Sequence, residues 1–331
     1  MTIKHLVISG GGPSGFVAYG AFKRLCQSGF LTMSDVETIY SSSIGSLICA
    51  LITLGYEWEW LDDYIIKRPW DSILEIDPSY LLSTFNDKGL YGIEIIEKVM
   101  GPLLTAKNLS PEITLLEYYK YNNTELHMFT TGLNNIFPTS IDMSHKTHPD
   151  LPLVQALYRS ISFPFIFKPT FDGTECFIDG GLINNFPLQN CIENIKNNCD
   201  GKVNYDEILA MNKPREEYSI NVTENTNIIQ YGIELFRRMH NLICKTREQN
   251  EISGQNEISG QNEISGQNEI SGQNEISELN KIKYIITCRV SLEAGLDSWW
   301  DIFANEDSRK IVVGDGEKLA AVFIEKHLKI A

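Results

Sequence analysis

Short apolar runs alternate with helical patterns from the start of the chain. Residues 5–9 are predicted as an apolar strand, and residues 16–25 repeat apolar positions at helical spacing, with Gly29 closing that helix. A second strand is predicted at residues 36–40 and a second helix at residues 44–54. Strand, glycine-rich turn, helix, strand, turn and helix in this order are typical of the start of a parallel α/β sheet.

The same alternation continues further along the chain. Strands are predicted at residues 126–133, 176–178 and 281–290, and helices at residues 154–160 and 310–330. The pattern therefore predicts an α/β protein, and its 331 residues fit one large domain or two smaller ones.

A hexapeptide repeat interrupts this organisation. Residues 249–272 repeat QNEISG four times, and QNEIS follows once more. A period of six suggests a hexapeptide β-helix, but so few units with a single apolar position cannot bury a useful core. We therefore expect residues 249–278 to form a flexible, solvated insertion without a role in catalysis.

Composition and charge exclude several classes of protein. The chain has 28 Lys+Arg against 43 Asp+Glu, a formal net charge of −15, and 43% hydrophobic residues. This apolar content excludes global disorder. The negative charge argues against nucleic-acid binding and disfavours tight docking on strongly anionic membranes.

The cysteines and apolar segments predict a cellular location. The seven cysteines are scattered and never form C-x-x-C, which indicates reduced thiols in an intracellular protein. The N-terminus lacks the pattern of a signal peptide, and the best uncharged apolar run, residues 44–54, is too short to span a bilayer. A cytoplasmic protein is expected, with peripheral membrane contact compatible with the sequence.

The first candidate site is the turn Gly10-Gly11-Gly12-Pro13-Ser14-Gly15 between a predicted strand and helix. It reads as G-x-G-x-x-G, the dinucleotide fingerprint, and its glycines and helix N-terminus suit any ligand that needs backbone N–H donors. A dinucleotide site also needs an acidic residue at the end of the second strand. Asp35 and Glu37 lie before or early in that strand, which weakens the interpretation as an oxidoreductase.

The second candidate site is Ser41-Ser42-Ser43-Ile44-Gly45, where a predicted strand turns into a helix. A nucleophile elbow occupies such a turn and usually reads G-x-S-x-G. Ser41 stands in place of the first glycine, and its small side chain is compatible with a tight turn. The alternative is a cluster of serines that caps the helix.

The third candidate site is Asp179-Gly180-Gly181 at the end of a predicted strand. Asp-Gly is also an ordinary turn signal. However, functional groups of open α/β sheets gather at the carboxyl ends of the strands, and all three candidate sites follow such ends. We therefore expect the three sites to meet.

The histidines restrict the mechanism. A Ser-His-Asp hydrolase needs a histidine after the acid, and the two candidates, His240 and His327, have the sequence context of surface residues. His145 and His148 form H-x-x-H without a third ligand or an adjacent glutamate, so no metal site is predicted there. A serine acting with an aspartate base is the interpretation that is left.

These three stretches, in this order, resemble the patatin-like phospholipases. That family combines a glycine-rich oxyanion loop, a G-x-S-x-G elbow and a downstream D-G-G or D-G-A aspartate, which residues 10–15, 41–45 and 179–181 resemble. The resemblance covers residues 4–191 and includes similar stretches at 88–92, 156–169 and 184–187.

Two positions depart from the family pattern. The family usually carries Lys or Arg before the last glycine of the oxyanion loop, where this chain has Ser14. This removes a cation near the developing charge and is expected to lower activity or alter head-group preference. Ser41 replaces the elbow glycine and is expected to strain the turn.

The resemblance implies a fold and a chemistry. It implies one acyl-hydrolase domain over residues 1–331, with an open, mostly parallel sheet flanked by helices in three α/β/α layers. Ser43 would attack the ester after giving its proton to Asp179, and the backbone amides of Gly11, Gly12 and Ile44 would hold the oxyanion. No metal and no cofactor are implied.

The resemblance also implies a lipid partner. Phospholipids or other acyl lipids are the expected substrates, with phospholipase A and lysophospholipase positions both open. Lipid-facing aromatics are considered around Trp58, Trp60 and Trp70 and at Trp299-Trp300, although core packing is the alternative for each. The alternative function is a catalytically weakened lipid-binding protein.

Overall fold

The computed structural model describes residues 2–73, 86–213, 221–228, 230–235, 238, 278–290 and 296–328. The predicted insertion at residues 249–278 lies outside these residues except for Glu278, and His240 lies outside them as well.

The described residues contain ten named strands. They are β1 (His5–Ile8), β2 (Thr38–Ser42), β3 (Gly89–Tyr91), β4 (Glu125–Gly132), β5 (Thr139–Met143), β6 (Phe165–Phe167), β7 (Thr170–Asp172), β8 (Glu175–Asp179), β9 (Ile208–Asn212) and β10 (Tyr284–Thr287). Short 3₁₀ segments at Met33–Asp35 and Gly180–Leu182 precede β2 and follow β8.

Nine α-helices are named within the same residues. They are α1 (Ser14–Gln27), α2 (Ile44–Thr53), α3 (Trp58–Asp62), α4 (Glu94–Ala106), α5 (Leu115–Asn122), α6 (Leu153–Ile161), α7 (Leu188–Asn198), α8 (Leu296–Ala304) and α9 (Glu306–Leu328).

Most strands join one mixed sheet. Its hydrogen-bonded order is β10-β9-β1-β2-β4-β8-β7, and β5 also pairs with β4. Strands β1, β2, β4, β9 and β10 run parallel, whereas β5 and β8 run antiparallel to β4 and β7 runs antiparallel to β8. Strands β3 and β6 form a separate parallel pair.

Successive side chains of β1 enter two different cores, because neighbouring residues of a strand face opposite sides of the sheet. Leu6 and Ile8 belong to the larger core, which also contains residues of α1, α2 and α9. Val7 belongs to a smaller core, where Leu188 and Ile192 of α7 pack. The prediction of a mostly parallel sheet flanked by helices is confirmed.

The second strand begins two residues later than predicted. Residues 36–40 are predicted as the strand, but β2 starts at Thr38. The Val36 amide donates to the Met33 carbonyl at 3.2 Å, so Val36 still belongs to the end of the 3₁₀ segment. At its other end, β2 extends through two buried serines that pair with β4. The turn that carries Ser43 therefore follows the strand without a spacer.

Strand β4 determines where the candidate site forms. Ser42 of β2 pairs with Phe129, and Asp179 of β8 pairs with the next residue, Thr130. Strand β5 pairs with Phe129 and Thr130 as well, so it occupies the opposite edge of β4. Strands β2 and β8 therefore share one edge of β4 and approach each other end to end.

This arrangement corrects the reason for which the sites were expected to meet. Asp179 does end its strand, but β8 runs antiparallel to β4, whereas β2 runs parallel to it. The carboxyl ends of β2 and β8 therefore point toward each other and do not lie side by side. Asp179 reaches Ser43 because β8 begins beyond the end of β2 and runs back toward it.

Helices α1 and α9 touch through glycines. A Cβ added at Gly316 would lie 2.0 Å from the Val17 carbonyl oxygen, and a Cβ at Gly20 would lie 2.0 Å from the Val313 carbonyl oxygen. Both obstacles are backbone atoms, so a rotamer change cannot remove either clash. The two glycines therefore allow the helix backbones to approach each other closely.

Two glycines of α9 are expected to respond oppositely to substitution. Gly316→Ala should lower the free energy of unfolding by about 1–3 kcal/mol because the added methyl group forces the helices apart. Gly314→Ala is the matched control, since a Cβ there meets nothing within 4 Å. It should raise the free energy of unfolding by about 0.5–1 kcal/mol through helix propensity. Urea denaturation of both variants measures this, and equal stabilities would contradict the described helix contact.

Candidate active site

Ser43 lies at a sharp turn between β2 and α2. Its backbone has φ 53° and ψ −132°, a conformation that a residue with a Cβ rarely adopts. Although Ser43 occupies the N-cap position of α2, its side chain makes no capping hydrogen bond. The structure thus favours the strained elbow over the alternative of a helix cap at this serine.

The Ser43 hydroxyl is bonded to Asp179. Ser43 Oγ donates to Asp179 Oδ2 at 2.5 Å, and the Gly181 amide donates to Asp179 Oδ1 at 2.6 Å. The Asp179 backbone is fixed by Ser162, whose carbonyl accepts its amide, and by Thr131, whose hydroxyl donates to its carbonyl. Both oxygens of the carboxylate are therefore oriented.

Burial changes the acidity of this carboxyl group. Asp179 is 3% exposed, and its desolvation raises the pKa from 3.8 to about 6, although the hydrogen bonds from Ser43 and Gly181 act in the opposite direction. Burial disfavours the charged form of a carboxylate, which makes the carboxylate a stronger base than an exposed one. Phe177 and Ile178, the apolar residues that directly precede Asp179 in β8, are buried as well.

Three buried serines support the elbow. Ser160 of α6 accepts the Ser43 amide at 3.0 Å and donates to the Phe129 carbonyl at 2.7 Å. Ser160 also contacts Ser46 Oγ at 3.0 Å, and Ser41 Oγ donates to Ser46 Oγ at 3.1 Å. This network fixes the backbone of the turn that carries Ser43.

The network also accounts for Ser41 in place of the elbow glycine. Ser41 is fully buried, lies within β2 and is not among the residues with positive φ. The strain expected from this departure is therefore not seen at Ser41. On the other side of the turn, Gly45 packs against β1, where an added Cβ would lie 2.8 Å from the Ser9 carbonyl oxygen.

The glycine-rich turn lies against Ser43. A Cβ added at Gly10 would be 2.8 Å from Ser43 Cβ, and the Gly10 amide donates to the Asn185 carbonyl at 3.0 Å. Among the described residues, neither the Gly11 nor the Gly12 amide donates to a backbone carbonyl. Gly10 is thus a close-contact position, and the next two amides are the ones available to a ligand.

The remaining glycines of the predicted site have packing positions. Gly15 lies in α1, where an added Cβ would be 2.4 Å from Ile44 Cγ1, so it brings α1 against the start of α2. Gly180 and Gly181 form the 3₁₀ segment directly after Asp179. All of these residues are brought together around the Ser43–Asp179 pair.

Lys213 was missed by the sequence interpretation. It follows β9, and its amide donates to Ser9 Oγ at 2.7 Å. Its side-chain Cδ and Ser14 Oγ both lie within 2.5 Å of the point that a Gly11 Cβ would occupy. A cationic side chain that is distant in the chain therefore lies beside position 14, where the family's usual cation is missing.

Trp299 also contacts the glycine-rich turn. A Cβ added at Gly12, where φ is 56°, would lie 2.9 Å from the Trp299 ring, and Lys213 Nζ is 5.5 Å from the centroid of that ring. No local pattern links residues so far apart in the chain. Only the three-dimensional arrangement places Lys213 and Trp299 at this turn.

The alternative chemistries receive little support from these positions. Asp35 and Glu37 lie at the amino end of β2, away from the glycine-rich turn, and Glu37 pairs with Lys4. His145 stacks on Tyr119 with centroids 3.8 Å apart. In the part of the chain that the structure describes, no three His, Cys, Asp or Glu side chains are grouped to hold a metal ion.

Comparisons with known proteins identify the family. The sequence model of the patatin-like phospholipases matches residues 6–192. The chain is 30% identical over 234 residues to the probable lipid hydrolase 463L of Invertebrate iridescent virus 6, covering 68% of this chain and 77% of that protein. It is 27% identical over 187 residues to the uncharacterized protein R571 of Acanthamoeba polyphaga mimivirus, covering 56% and 60%, respectively.

Among solved structures, the chain is similar to VipD from Legionella pneumophila. The TM-score is 0.47 at 14% identity, covering 99% of this chain and 67% of that one.

The chain belongs to the patatin-like phospholipase family. The resemblance seen in the sequence is thereby confirmed, and membership of this family implies acyl-ester hydrolase activity. None of the helices within the described residues is both long and apolar enough to cross a bilayer.

Proposed function

We propose that the protein hydrolyses fatty-acyl esters of phospholipids or related lipids through a Ser43–Asp179 dyad and an acyl-enzyme. The observation that carries this proposal is the 2.5 Å hydrogen bond between Ser43 Oγ, at a strained turn, and a buried carboxylate. A nucleophile in hydrogen-bond contact with an oriented base is the arrangement that covalent catalysis requires.

In the first half of the reaction, Ser43 Oγ attacks the ester carbonyl carbon while its proton moves to Asp179 Oδ2. The carbonyl oxygen becomes an oxyanion, which the amides of Gly11 and Gly12, together with that of Ile44, would stabilise. When the tetrahedral intermediate collapses, the ester bond breaks and the alcohol leaves with the proton from Asp179. Ser43 then carries the acyl group.

In the second half, a water molecule attacks the acyl carbon. Asp179 takes a proton from this water and returns it to Ser43 Oγ as the acyl bond breaks, which releases the fatty acid. The same carboxylate therefore serves both steps. Its raised pKa supports this role, because an aspartate with an ordinary pKa near 4 would be a weak base.

The substrate class rests on the family and on the relative named a probable lipid hydrolase. We assign the reaction to phospholipase A or lysophospholipase chemistry, with glycerophospholipids as the first substrates to test. The chemistry derived for the dyad needs neither a metal nor a cofactor.

Covalent labelling tests the nucleophile. The wild-type protein is incubated with a serine-reactive fluorophosphonate, and the modified residue is located by peptide mass spectrometry. We expect a single adduct on Ser43, because its hydroxyl is bonded to a base. Ser43→Ala should give no adduct, whereas Ser110→Ala, which removes an exposed serine that is hydrogen-bonded to the Glu112 amide, should label like the wild type.

Hydrolysis of a p-nitrophenyl ester and of a labelled phosphatidylcholine is measured in parallel. Turnover by the wild type that is absent in Ser43→Ala would support the proposal. A folded wild-type protein that neither labels nor hydrolyses either ester would refute it, and saturable lipid binding by that protein would identify the alternative lipid-binding function.

A further inference from the structure

A turn and a neighbouring short strand expose apolar side chains beyond the candidate active site. The turn between β4 and β5 carries Leu133, Ile136 and Phe137, which are 41%, 94% and 68% exposed, and Phe171 in β7 is 59% exposed. We refer to these four side chains as the apolar tip. Of the tryptophans noted in the sequence, Trp58, Trp70 and Trp299 are half-buried, and Trp60, which is 43% exposed, stacks on Tyr56.

The β4–β5 turn is hydrogen-bonded to the β7–β8 hairpin. The Leu133 amide donates to the Cys176 carbonyl at 2.8 Å, and Asn134 Nδ2 donates to the Thr174 carbonyl at 2.7 Å. Asn135 Nδ2 donates to Thr139 Oγ1 at 3.3 Å. These polar groups find partners within the hairpins, which lowers the cost of moving the turns into an apolar medium.

The apolar tip lies at the same end of β4 as the Ser43–Asp179 dyad. Strand β4 continues for three residues past Phe129, the partner of Ser42, and ends at Gly132. Three strand residues span about 10 Å. The apolar tip therefore projects beyond the level of Ser43 along the direction of β4.

The β4–β5 turn carries no charged side chain, and the two charges beside Phe171, those of Asp172 and of Lys88, whose Nζ is 5.9 Å from the ring centroid, have opposite signs. Residues 128–141 contain no Asp, Glu, Lys or Arg, although the chain has 28 basic and 43 acidic residues. A neutral, apolar projection on a protein with a net charge of −15 suits a surface without net charge. An anionic surface would repel the rest of the molecule.

We propose that the apolar tip inserts into the surface of a zwitterionic lipid bilayer and holds the active site against it. The identity of the partner rests on the proposed acyl-lipid hydrolysis. A second protein molecule fits less well, because a stable protein interface buries about 800 Å² on each partner, more than four side chains on a projecting turn supply. Shallow insertion into lipid needs only a few apolar side chains.

Vesicle flotation tests this proposal. The full chain with Ser43→Ala, called the carrier here, is mixed with phosphatidylcholine vesicles. The Ser43→Ala substitution is included so that no hydrolysis product accumulates. We expect this protein to float with the vesicles equally at low and high salt. Adding Ile136→Asn and Phe137→Ser should weaken binding about tenfold or more, since each exposed apolar side chain contributes a large part of the transfer free energy.

The matched control is Val322→Asn in the same carrier. Val322 is 69% exposed on α9, so its substitution removes a comparable exposed apolar side chain away from the tip, and flotation should be unchanged. Thermal unfolding confirms that each variant folds. Phosphatidylglycerol vesicles should bind the carrier less well at low salt because the protein is acidic.

Two outcomes would overturn the assignment. One is equal flotation of the carrier and the double tip variant. The other is a tip substitution that converts a dimer to a monomer in sedimentation velocity while flotation is unchanged, which would identify the tip as a contact between copies. Neither readout depends on turnover, so failure of the fluorophosphonate labelling would count against the proposed chemistry and not against the docking surface.

Discussion

Asp179→Asn is expected to lower kcat for ester hydrolysis by about 10²–10⁴ while making the folded protein more stable at pH 7. The amide can retain both hydrogen bonds, because Oδ1 can accept from Gly181 and Nδ2 can donate to Ser43 Oγ. It cannot take the proton of Ser43. The geometry is therefore preserved while the base is lost.

The gain in stability follows from the raised pKa of Asp179. Because this pKa is about 6 in the folded protein and near 3.8 when the chain is unfolded, the folded state binds the proton more tightly than the unfolded state. Stability therefore falls as pH rises from about 4 to about 6 and then stays low. At pH 7 the ionised carboxylate costs about 3 kcal/mol, which the neutral amide avoids.

Urea denaturation at pH 7 and pH 4, together with ester hydrolysis at pH 7, measures both effects. The difference in stability between the wild type and Asp179→Asn should shrink to a small part of its pH 7 value at pH 4, where the carboxyl group is protonated in the folded state and partly protonated in the unfolded state. Ser43→Ala is the control, since it should lose activity without gaining stability. Asp179→Asn with wild-type turnover would exclude Asp179 as the base.

Gly180→Ala is expected to damage both stability and activity. A Cβ at position 180 would lie 2.1 Å from the Phe129 carbonyl oxygen, and this obstacle is the backbone of β4. The end of β8 must then move away from β4. We expect the free energy of unfolding to fall by about 3 kcal/mol or more, and kcat/KM to fall about 10²-fold because Asp179 moves with it.

Gly181→Ala separates these two effects. A Cβ at position 181 would meet the ends of side chains, Asn185 Oδ1 at 2.7 Å and Asp179 Oδ1 at 2.9 Å, which can rotate away. Stability should therefore change by only about 1 kcal/mol, whereas the displaced carboxylate should again cost about 10²-fold in kcat/KM. Denaturation and ester hydrolysis of both variants measure this, and a Gly180→Ala protein of full stability would contradict the described β4–β8 contact.

The local part of this architecture could be predicted from the sequence. Hydrophobic periodicity identified five of the ten described strands (β1, β2, β4, β8 and β10) and four of the nine described helices (α1, α2, α6 and α9). The small residues at 41–45 indicated a tight turn. Each of these signals depends on residues close together in the chain. The family resemblance then connected the turn to Asp179.

The remaining features depend on contacts between distant residues. Ser160 supports the Ser43 amide across a separation of 117 residues, and Lys213 contacts Ser9 across 204. The direction of β8 could not be predicted from the sequence either, since a short apolar strand has the same hydrophobic pattern whether its neighbour is parallel or antiparallel. The exposed turn at Ile136 could not be distinguished from a buried strand end by hydropathy alone.

The end-to-end meeting of β2 and β8 has a consequence for how the protein folds. Ser43 and Asp179 are 136 residues apart, and the strands that carry them are aligned by separate pairings with β4. Both long loops must close before the dyad exists, and long-range closure is slow compared with helix formation. Recovery of esterase activity during refolding should therefore lag behind recovery of helical signal, and so report completion of the whole sheet.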